Sequence, residues 1–341
     1  MDLEKLIRPN IKSLKAYSSA RDEFSGTEGV FLDANENPYG DLNRYPDPYQ
    51  KALKAKLSEI KNVDTENIFV GNGSDEIIDL VFRIFCKPGK DKALIFSPTY
   101  GMYDVSAVIN DVELIKVPLL NNFQIDLSTL TPYLKDDELK LIFICSPNNP
   151  TGNSLNESDL TKILKGFNGI VVIDEAYIDF SPEKSWTESL HKYPNLIISQ
   201  TFSKAWGLAA ARVGIAYAQK DIIDILNKVK PPYNVSGPNQ KTAIKALSDT
   251  ANFEQNVQLI LDEKTKMVEA LEQISLVKKV YPSDANFLLI EVANANHLYQ
   301  ELVDKRVIVR NRNSLVKNCI RISIGSKEEN RQLIAALKVD E

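Results

Sequence analysis

Residues 139–152 read LKLIFICSPNNPTG, and they are followed by SDLTKILKGF at 158–167 and GIVVID at 169–174. Both LKLIFIC and GIVVID are apolar almost throughout rather than alternating, which is typical of strands buried on both faces of a parallel sheet. The segment between them has the apolar spacing of a helix, so the three together predict a strand–helix–strand crossover. This stretch therefore predicts an α/β fold with a mainly parallel central sheet.

The same alternation continues from about residue 50 to residue 230. Helical stretches such as DEIIDLVFRIF at 75–85 separate short apolar runs that are typical of buried strands. Those runs are NIFVG at 67–71, KALIFS at 92–97, VELIKV at 112–117, LIISQT at 196–201 and VGIAYA at 213–218.

The sequence changes character at KPPYNVSGPNQ, residues 230–240, which is rich in Pro, Gly and Asn and predicts a hinge. A long helical pattern follows at 239–274. Shorter runs come next, and a last helix begins with a capping box from Ser326 to Glu329. We predict three parts: an N-terminal arm at 1–28 that packs with the small domain, a large domain at 29–235, and a small α+β domain at 236–341.

The composition is that of an ordinary globular protein, and 341 residues are enough for two domains. A net charge of −5 offers no basic surface, so we expect no nucleic-acid partner. Three widely spaced cysteines and two histidines form no zinc-ligand pattern, so we expect buried free thiols and no metal. The apolar runs are too short to span a bilayer and the first residues lack a signal-peptide core. We therefore expect a cytoplasmic protein without a membrane partner.

Four segments carry polar groups where predicted strands end. The first is VGNGSDEII at 70–78, in which a strand leads through Gly71 and Gly73 into a helix that opens at Ser74. The free N–H groups and the positive dipole end of such a helix can bind phosphate. Taken alone, such a segment is more often an ordinary turn between a strand and a helix than a phosphate site.

The second and third segments follow the two strands quoted first. SPNNPTGN at 146–153 forms a stiff turn that can direct Asn149 toward a ligand at the strand ends, although a plain turn is the alternative. Asp174 ends GIVVID and is expected to be buried, so its carboxylate needs a partner. A protonated ring nitrogen of a ligand would be one such partner, and a structural ion pair is the alternative.

The fourth segment is SQTFSKAWGLAAARVGIAYA at 199–218. Lys204 lies just past a predicted strand among apolar side chains, which favour the neutral amine and prepare it as a nucleophile toward an aldehyde. Most lysines are solvated surface residues, so Lys204 alone would not indicate a functional site. It becomes a candidate nucleophile only together with the other three segments. Nearby polar side chains are Thr201, Ser203 and Arg212.

Taken in this order, the four segments resemble the fold-type-I aminotransferases that depend on pyridoxal 5'-phosphate (PLP), and within them the histidinol-phosphate aminotransferase family. The resemblance covers nearly the whole chain from Arg8 onward. It departs from the family pattern in KAYSSAR at 15–21, where Ala16 occupies a position that often holds Pro. Further matching motifs are DANENPYG at 33–40, NRYPDP at 43–48, SPTY at 97–100, VRNR at 309–312 and CIRISIG at 319–325.

The resemblance implies roles for the residues around the cofactor. Lys204 would carry PLP as a Schiff base and move the substrate proton, Asp174 would pair with the pyridinium nitrogen, and Tyr177 would be the third catalytic residue. Asn149 and Tyr177 would hydrogen-bond the ring oxygen O3', and Tyr100 would stack on the ring. The residues expected around the cofactor phosphate are Gly73, Ser74, Asp75, Thr201, Ser203, Arg212 and, from the second subunit of a homodimer, Tyr45.

The implied reaction converts L-histidinol phosphate and 2-oxoglutarate into imidazole acetol phosphate and L-glutamate in histidine biosynthesis. The resemblance assigns substrate binding to Tyr17, Asn149, Arg310 and Arg321, because guanidinium groups bind carboxylate and phosphate bidentately. A surface ion pair is the alternative for Arg310. The implied partners are small molecules and a second copy of the chain.

Other functions remain open at this level. A threonine-phosphate decarboxylase and an aromatic-amino-acid aminotransferase share much of the pattern. A non-catalytic regulatory protein of the same fold would need a basic DNA-binding segment, which the sequence does not offer. A nicotinamide-dependent oxidoreductase would need a complete GxGxxG followed by an acidic residue, and VGNGSDEII lacks the third glycine.

Overall fold

The computed structural model describes residues 2–18 and 29–338, in which two β-sheets are present. The larger sheet has seven strands in the order β1-β7-β6-β5-β4-β2-β3. Neighbours among β2 to β6 are parallel, whereas β7 is antiparallel to both β6 and β1. The strands are β1 (Ile68–Gly71), β2 (Lys92–Ser97), β3 (Glu113–Pro118), β4 (Leu139–Cys145), β5 (Ile170–Asp174), β6 (Leu196–Thr201) and β7 (Gly214–Ala218).

Helices cover both faces of this sheet, which confirms the predicted α/β architecture. On β4, Ile142 packs into one core and Phe143 into the other, so both faces of the strand are buried. This is why the strand segments are apolar throughout. The helices are α1 (Leu3–Leu6), α2 (Pro9–Lys12), α3 (Lys51–Lys61), α4 (Ser74–Phe85), α5 (Met102–Ile109), α6 (Leu127–Leu130), α7 (Glu157–Gly166) and α8 (Lys220–Val229).

Short 3-10 helices complete the connections of this part. They span Thr65–Asn67, Tyr133–Lys135, Ile178–Phe180, Trp186–Lys192 and Ala209–Ala211. The last of them lies in the connection from β6 to β7. Thr201 at the end of β6 pairs with Gly214 at the start of β7, so the chain returns along the same edge and β7 runs antiparallel.

The smaller sheet is antiparallel, with the strand order β10-β11-β9-β8. Its core includes Leu288 and Ile290 from the sheet and Leu333 from the last helix. The predicted capping box is confirmed, because the backbone N–H of Ser326 donates to Oε2 of Glu329 over 2.7 Å. The elements are β8 (Val277–Val280), β9 (Phe287–Val292), β10 (Arg310–Asn311), β11 (Cys319–Ser323), α9 (Gly237–Leu247), α10 (Thr250–Glu272), α11 (Ala295–Asp304) and α12 (Lys327–Lys338).

The continuous helical pattern at 239–274 corresponds to two helices, α9 and α10. The break falls at Ser248 and Asp249, where the Asp249 side chain accepts a hydrogen bond from the N–H of Asn252 and begins α10. Short polar side chains compete for backbone groups in this way and favour caps over helix interiors. The domain boundary at 235/236 stays a prediction; Ala243 of α9 lies in the core of the larger sheet.

The first two helices of the N-terminal arm pack on helices of the larger sheet. Ile7 and Ile11 are buried in the core formed with α4 and α8, and the N–H of Arg8 donates to the carbonyl of Ile84 over 3.0 Å. These contacts are with the large domain, and the expectation that the arm as a whole packs with the small domain stays a prediction. The arm's remaining residues, 19–28, lie outside the described residues.

The three cysteines, Cys86, Cys145 and Cys319, are free and buried, as expected. Within residues 2–18 and 29–338, no helix has both the length and the apolar character needed to cross a membrane.

Candidate active site

Polar side chains from both sheets surround one cavity of about 400 Å³. Asp174 ends β5, Lys204 follows β6, and Asn149 lies in the turn after β4, so the carboxyl ends of three parallel strands form its floor. The smaller sheet contributes arginines from the opposite side. The lining residues are Ser74, Asp75, Tyr100, Cys145, Asn149, Asp174, Ala176, Tyr177, Thr201, Ser203, Lys204, Ala209, Arg212, Arg310, Arg312 and Arg321.

All the site residues predicted from the sequence line this cavity except Gly73, Tyr45 and Tyr17. Gly73 borders it as the N-cap of α4, with φ 81°. A Cβ built on Gly73 would stand 2.7 Å from Nη2 of Arg212, so any larger residue would displace that guanidinium. Gly73 thus permits the close approach of Arg212 to the helix start.

The two remaining tyrosines lie elsewhere on this chain. Tyr45 is 49% exposed and its ring stacks on that of Tyr233 at 4.4 Å between centroids. Tyr17 is 69% exposed and lies beside Lys230 in a separate surface depression. Tyr17 therefore does not line the cavity of its own chain, and its role in substrate binding stays a prediction.

Asp174 is the buried carboxylate of the site, with 3% of its surface exposed. Burial raises the pKa of Asp174 to about 6, against the effect of two hydrogen bonds. Tyr103 Oη donates to Oδ2 over 2.8 Å, and the N–H of Ala176 donates to Oδ1 over 3.1 Å. No cation lies within 4.0 Å of Asp174 in the described part of the chain, so an ionised carboxylate there still needs a positive partner.

Lys204 is the one lysine among the residues that line the cavity. Burial lowers the pKa of Lys204, and the nearby guanidinium of Arg321 lowers it further, while Asp174 and Asp75 oppose both effects. Its Nζ lies 5.6 Å from the ring centroid of Tyr177. A lysine with a lowered pKa is a more available nucleophile and base near neutral pH.

A chain of hydrogen bonds connects the two sides of the cavity. Asn149 Nδ2 donates to Tyr177 Oη over 3.2 Å, and Arg321 Nη1 donates to Asn149 Oδ1 over 2.5 Å. Burial is the main cause that raises the pKa of Tyr177, so its hydroxyl stays protonated and can donate. These contacts fix the polar ends of Asn149 and Tyr177 side by side.

Several hydrogen-bond donors meet at the start of α4. Its N-terminal N–H groups are joined by the hydroxyls of Thr201 and Ser203 and by the guanidinium of Arg212. Arg212 Nη2 contacts Oδ2 of Asp75 at a long 3.4 Å, and Asp75 also accepts from the hydroxyl of Tyr100 over 3.2 Å. This corner of the cavity therefore has positive charge and donors available for a phosphate.

The sequence analysis missed Arg312, Tyr103, Cys145, Ala176 and Ala209. Two of them had a signal. Arg312 stands two residues after Arg310, which places both on one face of an extended strand. Tyr103 stands three residues after Tyr100, roughly one helical turn further. Cys145, Ala176 and Ala209 line the cavity through their positions next to functional residues, and their side-chain types carry no signal.

The chain is similar to known proteins over nearly its whole length. The family described as "Aminotransferase class I and II" matches residues 27–337. A histidinol-phosphate aminotransferase from Christiangramia forsetii is 52% identical, covering 99% of this chain and 97% of the relative. One from Cytophaga hutchinsonii is 50% identical, covering 98% of each. The structure of histidinol-phosphate aminotransferase from Sinorhizobium meliloti in complex with PLP shares the fold, with a TM-score of 0.81, 24% identity and 89% coverage of each chain.

Proposed function

Because the chain belongs to the class I and II aminotransferases, and within them to the histidinol-phosphate aminotransferase family, we propose that it transfers the amino group of L-histidinol phosphate to 2-oxoglutarate. The products are imidazole acetol phosphate and L-glutamate, in histidine biosynthesis, and the cofactor is PLP. The observation that carries the proposal is one cavity that joins Lys204, the buried Asp174 and three arginines, Arg310, Arg312 and Arg321, that have no carboxylate partner within residues 2–18 and 29–338.

The residues of the cavity fit PLP. Asp174 is buried, has no cation within 4.0 Å among the described residues and suits the protonated ring nitrogen, while Asn149 and Tyr177 suit the ring oxygen. The start of α4, Thr201, Ser203 and Arg212 suit the phosphate. When bound, PLP supplies an aldehyde that exchanges between lysine and substrate amines and a ring that takes up the electron pair released at the substrate carbon.

The chain's own residues then hold the reactants and move the proton. Lys204, with its lowered pKa, would accept the proton released at the substrate carbon that bears the amino group and hold it for return. Asp174 would stay ionised beside a protonated ring nitrogen. The 3.2 Å hydrogen bond between Asn149 and Tyr177 keeps their polar groups oriented. Tyr100 lines the cavity and is held in place by the hydrogen bond from its hydroxyl to Asp75.

The arginines of the smaller sheet bind the negatively charged groups of the substrates. Arg321 binds the α-carboxylate of glutamate and the phosphate of L-histidinol phosphate in turn, and Arg310 reaches the longer phosphate arm. Two features support this assignment. Both guanidinium groups line the cavity, and neither has a carboxylate partner within 4.0 Å in residues 2–18 and 29–338. Guanidinium groups without partners bind anions well because they donate in a planar fork.

The functional unit is proposed to be a homodimer in which Tyr45 reaches the cofactor phosphate of the partner subunit. Several large apolar side chains that are exposed on the single chain support this, because burying apolar surface favours association. They are Val30, Leu32, Tyr39, Leu42, Tyr45, Val108 and Ile109, each between 49% and 88% exposed. We also propose a cytoplasmic location, which suits the three free thiols.

Substrate comparison tests the proposed function. Purified protein loaded with PLP is assayed with 2-oxoglutarate and L-histidinol phosphate, phenylalanine or tyrosine, and threonine phosphate is checked for release of CO2. We expect the highest kcat/KM for L-histidinol phosphate and no decarboxylation. A higher value for an aromatic amino acid, or decarboxylation of threonine phosphate, would contradict the proposed substrate.

A further inference from the structure

Arg312 forms a third guanidinium beside the two that the substrate proposal uses. In the smaller sheet, Arg310 of β10 lies directly opposite Arg321 of β11. Arg312 follows β10 and stays aligned with β11, because its N–H donates to the carbonyl of Cys319 over 2.9 Å. Side chains alternate along a strand, so Arg310 and Arg312 project from the same face as Arg321. All three line the cavity.

This cluster is unfavourable for the unliganded protein. Like charges directly opposite one another on a sheet destabilise it. Within residues 2–18 and 29–338, none of the three guanidinium groups has a carboxylate within 4.0 Å. In the same described residues, Nε of Arg312 and Nε of Arg321 are buried without a hydrogen-bond acceptor, so the desolvation of these two N–H groups is uncompensated, although Nη1 of Arg321 donates to Asn149.

The electrostatics of Arg312 agree with this geometry. Burial, followed by repulsion from Arg321 and Arg310, lowers the pKa of Arg312 to about 10. At neutral pH the group still carries its charge. An arrangement that costs stability and has no internal partner is expected where a ligand supplies the missing negative charge.

We propose that Arg312 is a specificity-determining residue that binds the phosphate of the phosphorylated amine and makes the site prefer a phosphate dianion to a carboxylate. The inference rests on the proposed function and adds a residue to it. A carboxylate has two oxygens and one charge, so two arginines satisfy it. A phosphate monoester has three terminal oxygens and up to two negative charges near neutral pH. It therefore offers an acceptor for a third guanidinium, which a carboxylate does not.

The test compares Arg312→Gln with Lys317→Gln in the PLP-loaded enzyme. Lys317 is exposed in the same connection between β10 and β11 and does not line the cavity, so its variant removes one positive charge away from the site. We expect Arg312→Gln to raise KM for L-histidinol phosphate roughly ten-fold or more while changing KM for glutamate less than about three-fold. Arg312→Lys should recover part of the loss, since it keeps the charge but lacks the planar fork. Lys317→Gln should change neither KM.

A binding measurement separates this role from a structural one. Inorganic phosphate is titrated into each PLP-loaded protein by calorimetry, and Tm is recorded with and without phosphate. We expect Arg312→Gln to bind phosphate more weakly than the wild type. Without phosphate it should unfold at a higher temperature, because removing one cation relieves the repulsion within the cluster. A structural Arg312 would instead give a lower Tm in both conditions.

Three outcomes would overturn the inference. They are equal losses for L-histidinol phosphate and glutamate, no loss for either, and unchanged affinity for inorganic phosphate. The proposed function fails separately, if the wild-type enzyme does not transaminate L-histidinol phosphate at all. In that case the phosphate titration still decides whether Arg312 binds the anion.

Discussion

Tyr103 donates its hydroxyl hydrogen bond to Oδ2 of Asp174 over 2.8 Å, and both side chains are almost fully buried. The Tyr103 ring is fixed by stacking on Phe143, with 5.0 Å between centroids, and by an edge contact with Tyr100. The hydrogen bond favours the ionised form of Asp174, whereas burial favours the protonated form. Tyr103 is therefore a positioning residue that helps keep Asp174 ready for a cationic ring.

Replacing Tyr103 by Phe tests this role. Loss of the hydrogen bond should raise the pKa of Asp174 above its value of about 6 in the cofactor-free protein. PLP should bind well only where Asp174 is ionised, so affinity is lost as pH falls through that pKa. We expect the fall in Tyr103→Phe to begin at a higher pH than in the wild type, as measured by PLP titrations between pH 5 and 8. An unchanged midpoint would show that Tyr103 only fills space.

Asp174→Asn should affect stability and catalysis in opposite directions. The folded-state pKa of Asp174 lies above the unfolded value, so the folded protein binds the extra proton and loses stability as pH rises from about 4 to 6. Removing the carboxylate should therefore raise the free energy of unfolding of the cofactor-free protein at pH 8 by about 1–3 kcal/mol. Chemical denaturation at pH 8 measures this.

The same substitution should slow the reaction of the PLP-loaded enzyme roughly a hundred-fold or more, because the ring nitrogen loses its anionic partner. Single-turnover kinetics with L-histidinol phosphate measure the effect. A variant that is less stable without cofactor and reacts at the wild-type rate would show that Asp174 is a structural residue.

Arg321 and Arg310 should differ in which substrate they serve. Arg321→Ala should damage the half-reactions of both glutamate and L-histidinol phosphate. Arg310→Ala should damage L-histidinol phosphate more than phenylalanine, by roughly ten- to a hundred-fold in kcat/KM, because one charge-assisted contact is lost. A folding defect would lower kcat/KM for all substrates alike, so the comparison between substrates is an internal control. Equal losses for phosphorylated and unphosphorylated amines would contradict the phosphate role.

The position of the N-terminal arm predicts a stability effect far from the cavity. Ile7 is 3% exposed in the core with α4 and α8, so Ile7→Ala should lower the free energy of unfolding by about 2–5 kcal/mol. The matched control is Lys5→Ala, since the Lys5 side chain is 84% exposed and should change stability little. Denaturant unfolding of both variants measures the difference. Equal stability of the two would contradict the packing of the arm on the larger sheet.

The parallel part of the fold was predictable because strands that are buried on both faces consist almost entirely of apolar residues. Ile142 and Phe143 enter opposite cores, so neither position tolerates a polar residue. The antiparallel direction of β7 was not predictable from composition. VGIAYA is as apolar as its parallel neighbours, and only the return of the chain along the edge of β6 makes it antiparallel.

Site residues were predictable where a strand end and a chemical type coincided, as at Asp174 and Lys204. The hydrogen bond from Tyr103 was not predictable, because it depends on how α5 packs under the sheet. The position of Tyr17 outside the cavity of its own chain was not predictable, because the buried face of the arm is set by two isoleucines whose partners lie far along the chain. Arg312 shares a strand face with Arg310, but its proximity to Arg321 follows only from the register of β10 with β11.

Covalent capture of the cofactor on Lys204 tests the central claim most directly. Lys54 offers a matched comparison, because burial, followed by repulsion from Lys230, lowers the pKa of Lys54 to about 8 although it lies outside the cavity. The PLP-loaded wild type, Lys204→Ala and Lys54→Ala are reduced with borohydride, digested and mapped by mass spectrometry. We predict an adduct on Lys204 in the wild type and in Lys54→Ala, with none in Lys204→Ala and no turnover by that variant. An adduct on Lys54, or on any lysine other than Lys204 in the wild type, would contradict the account.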